Sequence, residues 1–159
     1  MLSSWAADPA PFYAVVVMLF SAAVERRMRQ VARALQPWCK ATTPATPHVT
    51  LAACGVRPAV APGERCEVVV GGADAFTSAA FLHAAGVEGL REPVLRAVGE
   101  VDPAPVWVPH VTVGTFRWSL STPLVAQRLA TMRGMPPIVA PGRVAVVRVD
   151  RRTGLIAEV

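Results

Sequence analysis

The chain has 159 residues, a net charge of +5 at neutral pH, and 53% hydrophobic against 17% charged residues. Length and balance predict one folded domain with a buried core and exclude a disordered chain. The positive excess suits an anionic ligand, but the arginines are scattered without a run of like charge, which speaks against a nucleic-acid-binding tail. Cys39, Cys54 and Cys66 are odd in number and show no CxxC spacing, so neither a disulfide framework nor a zinc site is expected. A reducing, cytoplasmic setting follows, with Cys54 packed inside. The uncharged run from Pro9 to Val24 is shorter than the roughly 18 to 20 residues that span a bilayer, and Asp8 rather than a basic residue precedes it. Neither a membrane segment nor a secretory signal is expected.

Phe12 to Phe20 is a continuous aromatic and β-branched run of strand length, suited to a central strand covered on both faces. Ser21 is placed to cap a helix in which Val24, Met28, Val31 and Leu35 recur on one face. Arg26, Arg27, Arg29 and Arg33 fall mainly on the rest of its surface and read as a solvated face. Pro37 ends this helix, and Pro44 and Pro47 bracket a loop. A strand runs from His48 to about Cys54 and stops at Gly55, and residues 57–63 are loop by their proline and glycine content. Cys66 to Val70 predicts a strand ended by Gly71-Gly72, and Phe81 to Val87 another. Pro93 suits the first turn of a short helix with Val94, Leu95 and Val98 inward. After the break at residues 102–105, a strand runs from about Val106 to Phe116. Thr122 and Pro123 open a helix with Val125, Leu129 and Met132 on its apolar face, stopped by Gly134. Arg143 to Val149 is a last strand. Strand, helix, strands, helix, strand, helix, strand is an α+β order.

Two stretches carry the chemistry: Pro47-His48-Val49-Thr50-Leu51 and Pro109-His110-Val111-Thr112-Val113. On a strand, His48 and Thr50 point to one face while Val49 and Leu51 point to the other, and the second copy repeats this. Two histidines on opposite sides of one phosphorus can take a proton from the attacking oxygen and give one to the leaving oxygen. The Thr50 and Thr112 hydroxyls would reach the non-bridging oxygens. No carboxylate accompanies either histidine, and the spacing lacks the HExxH helix geometry, so no metal is expected.

In these residues the chain resembles the two-histidine (2H) phosphoesterases, and within them the bacterial RNA 2′,3′-cyclic phosphodiesterase or 2′–5′ RNA ligase group. The resemblance covers about Phe12 to Val149: the apolar first strand, the run from His48 to Gly55, Val68-Val69-Val70 followed by Phe76, and the second motif. It implies a single domain over 1–159, core about 12–149, in a two-lobed, pseudo-symmetric α+β fold. Antiparallel sheets would line a central cleft with helices outside. It also implies His48 and His110 as the catalytic pair, Thr50 and Thr112 as phosphate ligands, and hydrolysis of a 2′,3′-cyclic phosphate or small nucleotide or RNA phosphodiester. A monomer acting on a nucleotide or RNA end, with no metal, cofactor or membrane attachment, is expected. The alternative is a catalytically silent nucleotide- or RNA-binding module on the same fold.

Tyr13, Arg117 and Arg143 are candidate substrate contacts because they fall at strand positions that could border a cleft, and Trp118 is one because it flanks the second motif, where it could stack a base or pack in the core. His83 lacks the motif and reads as a structural or cleft-edge residue. Trp107 and Phe116 suit either base stacking or core packing.

Overall fold

The structure, a computed structural model, describes residues 12–20, 22–36, 38–41, 46–55, 65–98, 107–117, 123–150 and 156–158. Eight strands and three helices occur among them, in the order β1 Phe12–Phe20, α1 Ala22–Ala34, β2 Cys39–Ala41, β3 His48–Gly55, β4 Arg65–Ala75, β5 Ala79–Ala85, α2 Glu88–Val98, β6 His110–Phe116, α3 Pro123–Arg133, β7 Ile138–Asp150 and β8 Ile156–Glu158. The strands form one antiparallel sheet ordered β2-β6-β5-β4-β7-β1-β3, with β8 paired to β7. Although β3 and β6 stand near opposite ends of this order, they pack against each other. The sheet therefore curls through β5, β4, β7 and β1 until the two motif strands meet.

The helical periodicity of α1 translates directly into packing, with Val24, Met28, Val31 and Leu35 all buried. Its arginine-rich surface is tied locally, since Arg29 bonds Glu25 at 2.5 Å and Arg27 donates to the Pro136 carbonyl at 2.8 Å. Val49 and Leu51 of β3, Val111 and Val113 of β6, and Val68 and Leu82 of β4 and β5 join α1 in one apolar cluster. Val125, Leu129 and Met132 bring α3 into the same core, packed on β4.

Several boundaries differ from the sequence expectation, each for a tertiary reason. Gly71-Gly72 does not end β4, which continues to Ala75 through a register shift. A Cβ on Gly72 would lie 2.2 Å from the Arg133 carbonyl oxygen, so glycine is there to let α3 approach the strand backbone. The β5 strand starts two residues before Phe81 and ends at Ala85, just before Gly86, whose φ of 100° favours glycine. The Gly86 N–H is taken by the Glu88 carboxylate at 2.7 Å, which starts α2 early and leaves Pro93 inside the helix rather than in its first turn. The second motif strand opens at His110 instead of Val106. β7 opens at Ile138, ahead of Arg143, and accepts Pro141 because β1 pairs with it only from Gly142 onward, which leaves the proline an unpaired flank. The short strands β2 and β8 carry no sequence signal. No helix among the described residues is long and apolar enough to cross a membrane. The capping assigned to Ser21 and Thr122, the breaks at Pro37 and 102–105, and the packing of Cys54 lie outside the described residues.

Candidate active site

β3 opens on His48 and β6 opens on His110. In each copy the preceding proline has a fixed φ and disfavours the helical region for the residue before it, so the chain enters the strand extended. The carbonyl two residues back thereby comes within reach of the imidazole. His48 Nδ1 lies 3.0 Å from the Thr46 oxygen, and His110 Nδ1 lies 2.7 Å from the Val108 oxygen. A carbonyl only accepts, so each Nδ1 carries the proton and donates it, leaving Nε2 as the nitrogen available for chemistry. The repeated proline is visible in the sequence; the bond it prepares is not.

The faces fall as the period-two pattern requires. Val49, Leu51, Val111 and Val113 are buried, Thr50 is exposed, and His48, His110 and Thr112 are partly exposed. The packing of β3 against β6 brings the two histidine strands together, and the His110 imidazole is felt at His48. Burial is the main force holding the His48 pKa below its ordinary value; the Thr46 carbonyl opposes it and His110 adds to it. The neutral ring, with a lone pair on Nε2, is thus the favoured form of His48.

Around His110 the structure adds aromatic residues. Phe76 meets its ring edge-on at 4.8 Å and Phe81 at 5.4 Å, while Phe76 and Phe81 stack on each other at 4.2 Å. Phe76 is 38% exposed and Phe81 is buried. In the β5–β6 ladder Phe81 stands opposite Thr112 and His83 opposite His110, so four side chains of the site share one face. His83 is bonded to Asp74. Phe76 enters the sequence reading only through the family resemblance, and nothing local marks Phe81 or Asp74, because their place depends on which strands pair.

A crystal structure, that of TT0787 from Thermus thermophilus, aligns over 92% of this chain and 94% of its own, with a TM-score of 0.58 and 16% sequence identity. The chain has the fold of TT0787. Because the match runs through nearly all of both chains, the likeness is one of whole fold and not of a fragment; identity this low carries it no further. No protein-family model matches the chain, and no curated protein matches it in sequence.

Within this fold the remaining candidates separate. Leu19 of β1 pairs with His48 on one side and with Arg143 on the other, so Arg143 lies in the same cross-strand row as His48, two strands away. Arg117 is not brought to the site. It follows the far end of β6, seven residues and roughly 23 Å of extended chain from His110, where its N–H bonds the Trp38 carbonyl at 3.0 Å. Tyr13 pairs with Val149, six residues or roughly 20 Å along β1 from Leu19; its side chain and all of Trp118 lie outside the described residues. Trp107 packs at the core margin under the Arg91 guanidinium, 4.6 Å from its ring centre, and Phe116 also packs against the core. Among the described residues no group of three or more His, Cys, Asp or Glu is placed to hold a metal.

Proposed function

We propose that the protein is a two-histidine phosphodiesterase that opens a 2′,3′-cyclic phosphate or a small nucleotide or RNA phosphodiester in a cleft between β3 and β6. One observation carries the reading: two imidazoles on strands that meet, each with Nδ1–H tied to the carbonyl two residues back and each with Nε2 left for proton transfer. The resemblance of both motifs to the 2H phosphoesterases supplies the substrate class.

Burial favours neutral His48, which fits the general base. His48 Nε2 takes the proton of a water as its oxygen attacks phosphorus, and His110 Nε2 gives a proton to the ribose oxygen as its P–O bond breaks. One P–O bond forms, one breaks, and the two histidines exchange protonation states, which solvent resets. Thr50 and Thr112 donate to the non-bridging oxygens as charge grows there. The two imidazoles supply both proton transfers, so the reaction calls for no metal or cofactor.

The test is turnover of adenosine 2′,3′-cyclic phosphate, a 2′–5′ dinucleotide and ADP-ribose 1″,2″-cyclic phosphate in EDTA. His48→Ala and His110→Ala should each lower kcat by about 10²-fold or more with circular dichroism unchanged. Wild-type turnover in either variant removes the mechanism. Loss in EDTA that a divalent ion restores would point to different chemistry, and binding without turnover would favour the silent nucleotide-binding module.

A further inference from the structure

The third histidine lies beside this chemistry but takes no part in it. His83 is the cross-strand partner of His110, so the two side chains share one sheet face at about one strand spacing, roughly 5 Å between backbones. The Phe81 ring meets both, with centroids 5.1 Å from His83 and 5.4 Å from His110.

The orientation of His83 is fixed from behind. Its Nε2 lies 3.3 Å from Asp74 Oδ2, while Asp74 Oδ1 accepts from the Ala75 N–H at 2.9 Å and from Arg133 at 3.1 Å. Burial would raise the Asp74 pKa, but the Ala75, Arg133 and His83 bonds outweigh it and hold the carboxyl below its ordinary value. An ionised carboxylate only accepts, so Nε2 of His83 carries the proton and, in the neutral ring, Nδ1 presents a lone pair. That Nδ1 has no hydrogen-bond partner among the described residues, and the side chain is 52% exposed. Tying the β4–β5 hairpin to α3 needs only Asp74 and Arg133. His83 adds nothing to that link and is instead oriented by it.

We propose that His83, set by Asp74, is a specificity-determining acceptor for a hydrogen-bond donor of the substrate, beside the phosphate held at His110; this rests on the phosphodiesterase reading above. In a nucleoside 2′,3′-cyclic phosphate both the 2′ and 3′ oxygens are esterified. The donors left are the 5′-hydroxyl and the N–H groups of the base, of which adenine's is its amino group.

The experiment compares kcat/KM for adenosine 2′,3′-cyclic phosphate, its 5′-deoxy analogue and the purine-riboside analogue lacking the amino group, using wild type, His83→Leu and His83→Asn. Wild type should favour the full substrate over one analogue by about five- to tenfold, the scale of one neutral hydrogen bond. The analogue that suffers identifies the donor. His83→Leu should erase the preference, mainly through KM, and His83→Asn, whose amide oxygen replaces Nδ1, should restore part of it. No wild-type preference, or a Leu variant that slows all three substrates equally or none, overturns the proposal. If wild type turns over none of the three, the phosphodiesterase reading fails instead. Calorimetric affinities of the corresponding 2′-monophosphates for wild type and His83→Leu then make the same comparison: a selective loss in the variant supports the subsite, and equal or absent binding overturns it.

Discussion

Burial holds the His48 pKa below the ordinary imidazole value near ~6.5, the Thr46 carbonyl resists this by stabilising the charged ring, and the His110 imidazole adds to the lowering. The neutral ring of His48 is therefore favoured at pH 7, as the proposed role of general base requires. The acid limb of kcat/KM that belongs to His48 should fall below the ordinary histidine range. Removing His110 takes away one lowering cause and leaves burial, so in His110→Ala the His48 pKa should rise without reaching the ordinary value. An NMR titration of the imidazole checks this, and an unmoved or lower midpoint contradicts it. Stability follows the same sign. Between the lowered folded value and the unfolded ~6.5, the unfolded chain binds more protons, so stability is lost as pH falls through that window. A His48→Gln variant should lose less melting temperature than wild type over the same pH drop.

The faces of β3 and β6 are legible in the sequence because a strand alternates with period two, and Val49, Leu51, Val111 and Val113 are buried as that pattern demands. The partners of a strand are not legible in this way. Gly71-Gly72 has the local signature of a strand end, yet β4 runs through it because the last turn of α3 lies on its backbone. His83 looks isolated in sequence and becomes a neighbour of His110 only through the β5–β6 register. In Gly72→Ala the new methyl would meet the Arg133 carbonyl oxygen at 2.2 Å and the Met132 oxygen at 2.8 Å, all backbone atoms that cannot rotate away. The end of α3 must then retreat, carrying Arg133 away from Asp74. Denaturant unfolding should show a loss of about 1–3 kcal/mol, as overpacking typically costs. Gly134→Ala is the control, since its added methyl meets nothing within 4 Å; it should stay within about 0.5 kcal/mol. Equal effects at the two glycines would contradict the close approach.

At the scale of the molecule, the two motif strands depend on β7. Its first part, from Ile138 to Arg143, pairs with β4, and its length from Gly142 to Asp150 pairs with β1, which in turn carries β3. The β6 side and the β3 side are thus ladders on one strand, and their buried residues form one apolar cluster. Neither side can lose its packing without exposing the other's, so unfolding should be a single cooperative transition. Trp38 and Trp107 pack against the core beside β2 and β6, whereas far-UV circular dichroism averages over every strand; the two signals should nevertheless melt together. Val144→Ala tests the coupling directly, because Val144 is buried in β7 just past the point where the two ladders overlap. Losing two buried methyl-sized groups there should cost about 2 kcal/mol and shift both signals equally, although none of the chain's four tryptophans lies on β7. A tryptophan transition left in place while the circular dichroism transition moves would mean that the two sides fold separately. His48 could then leave His110 without the rest of the protein unfolding, and the meeting of β3 and β6 would be one state among several and not a fixed property of the fold.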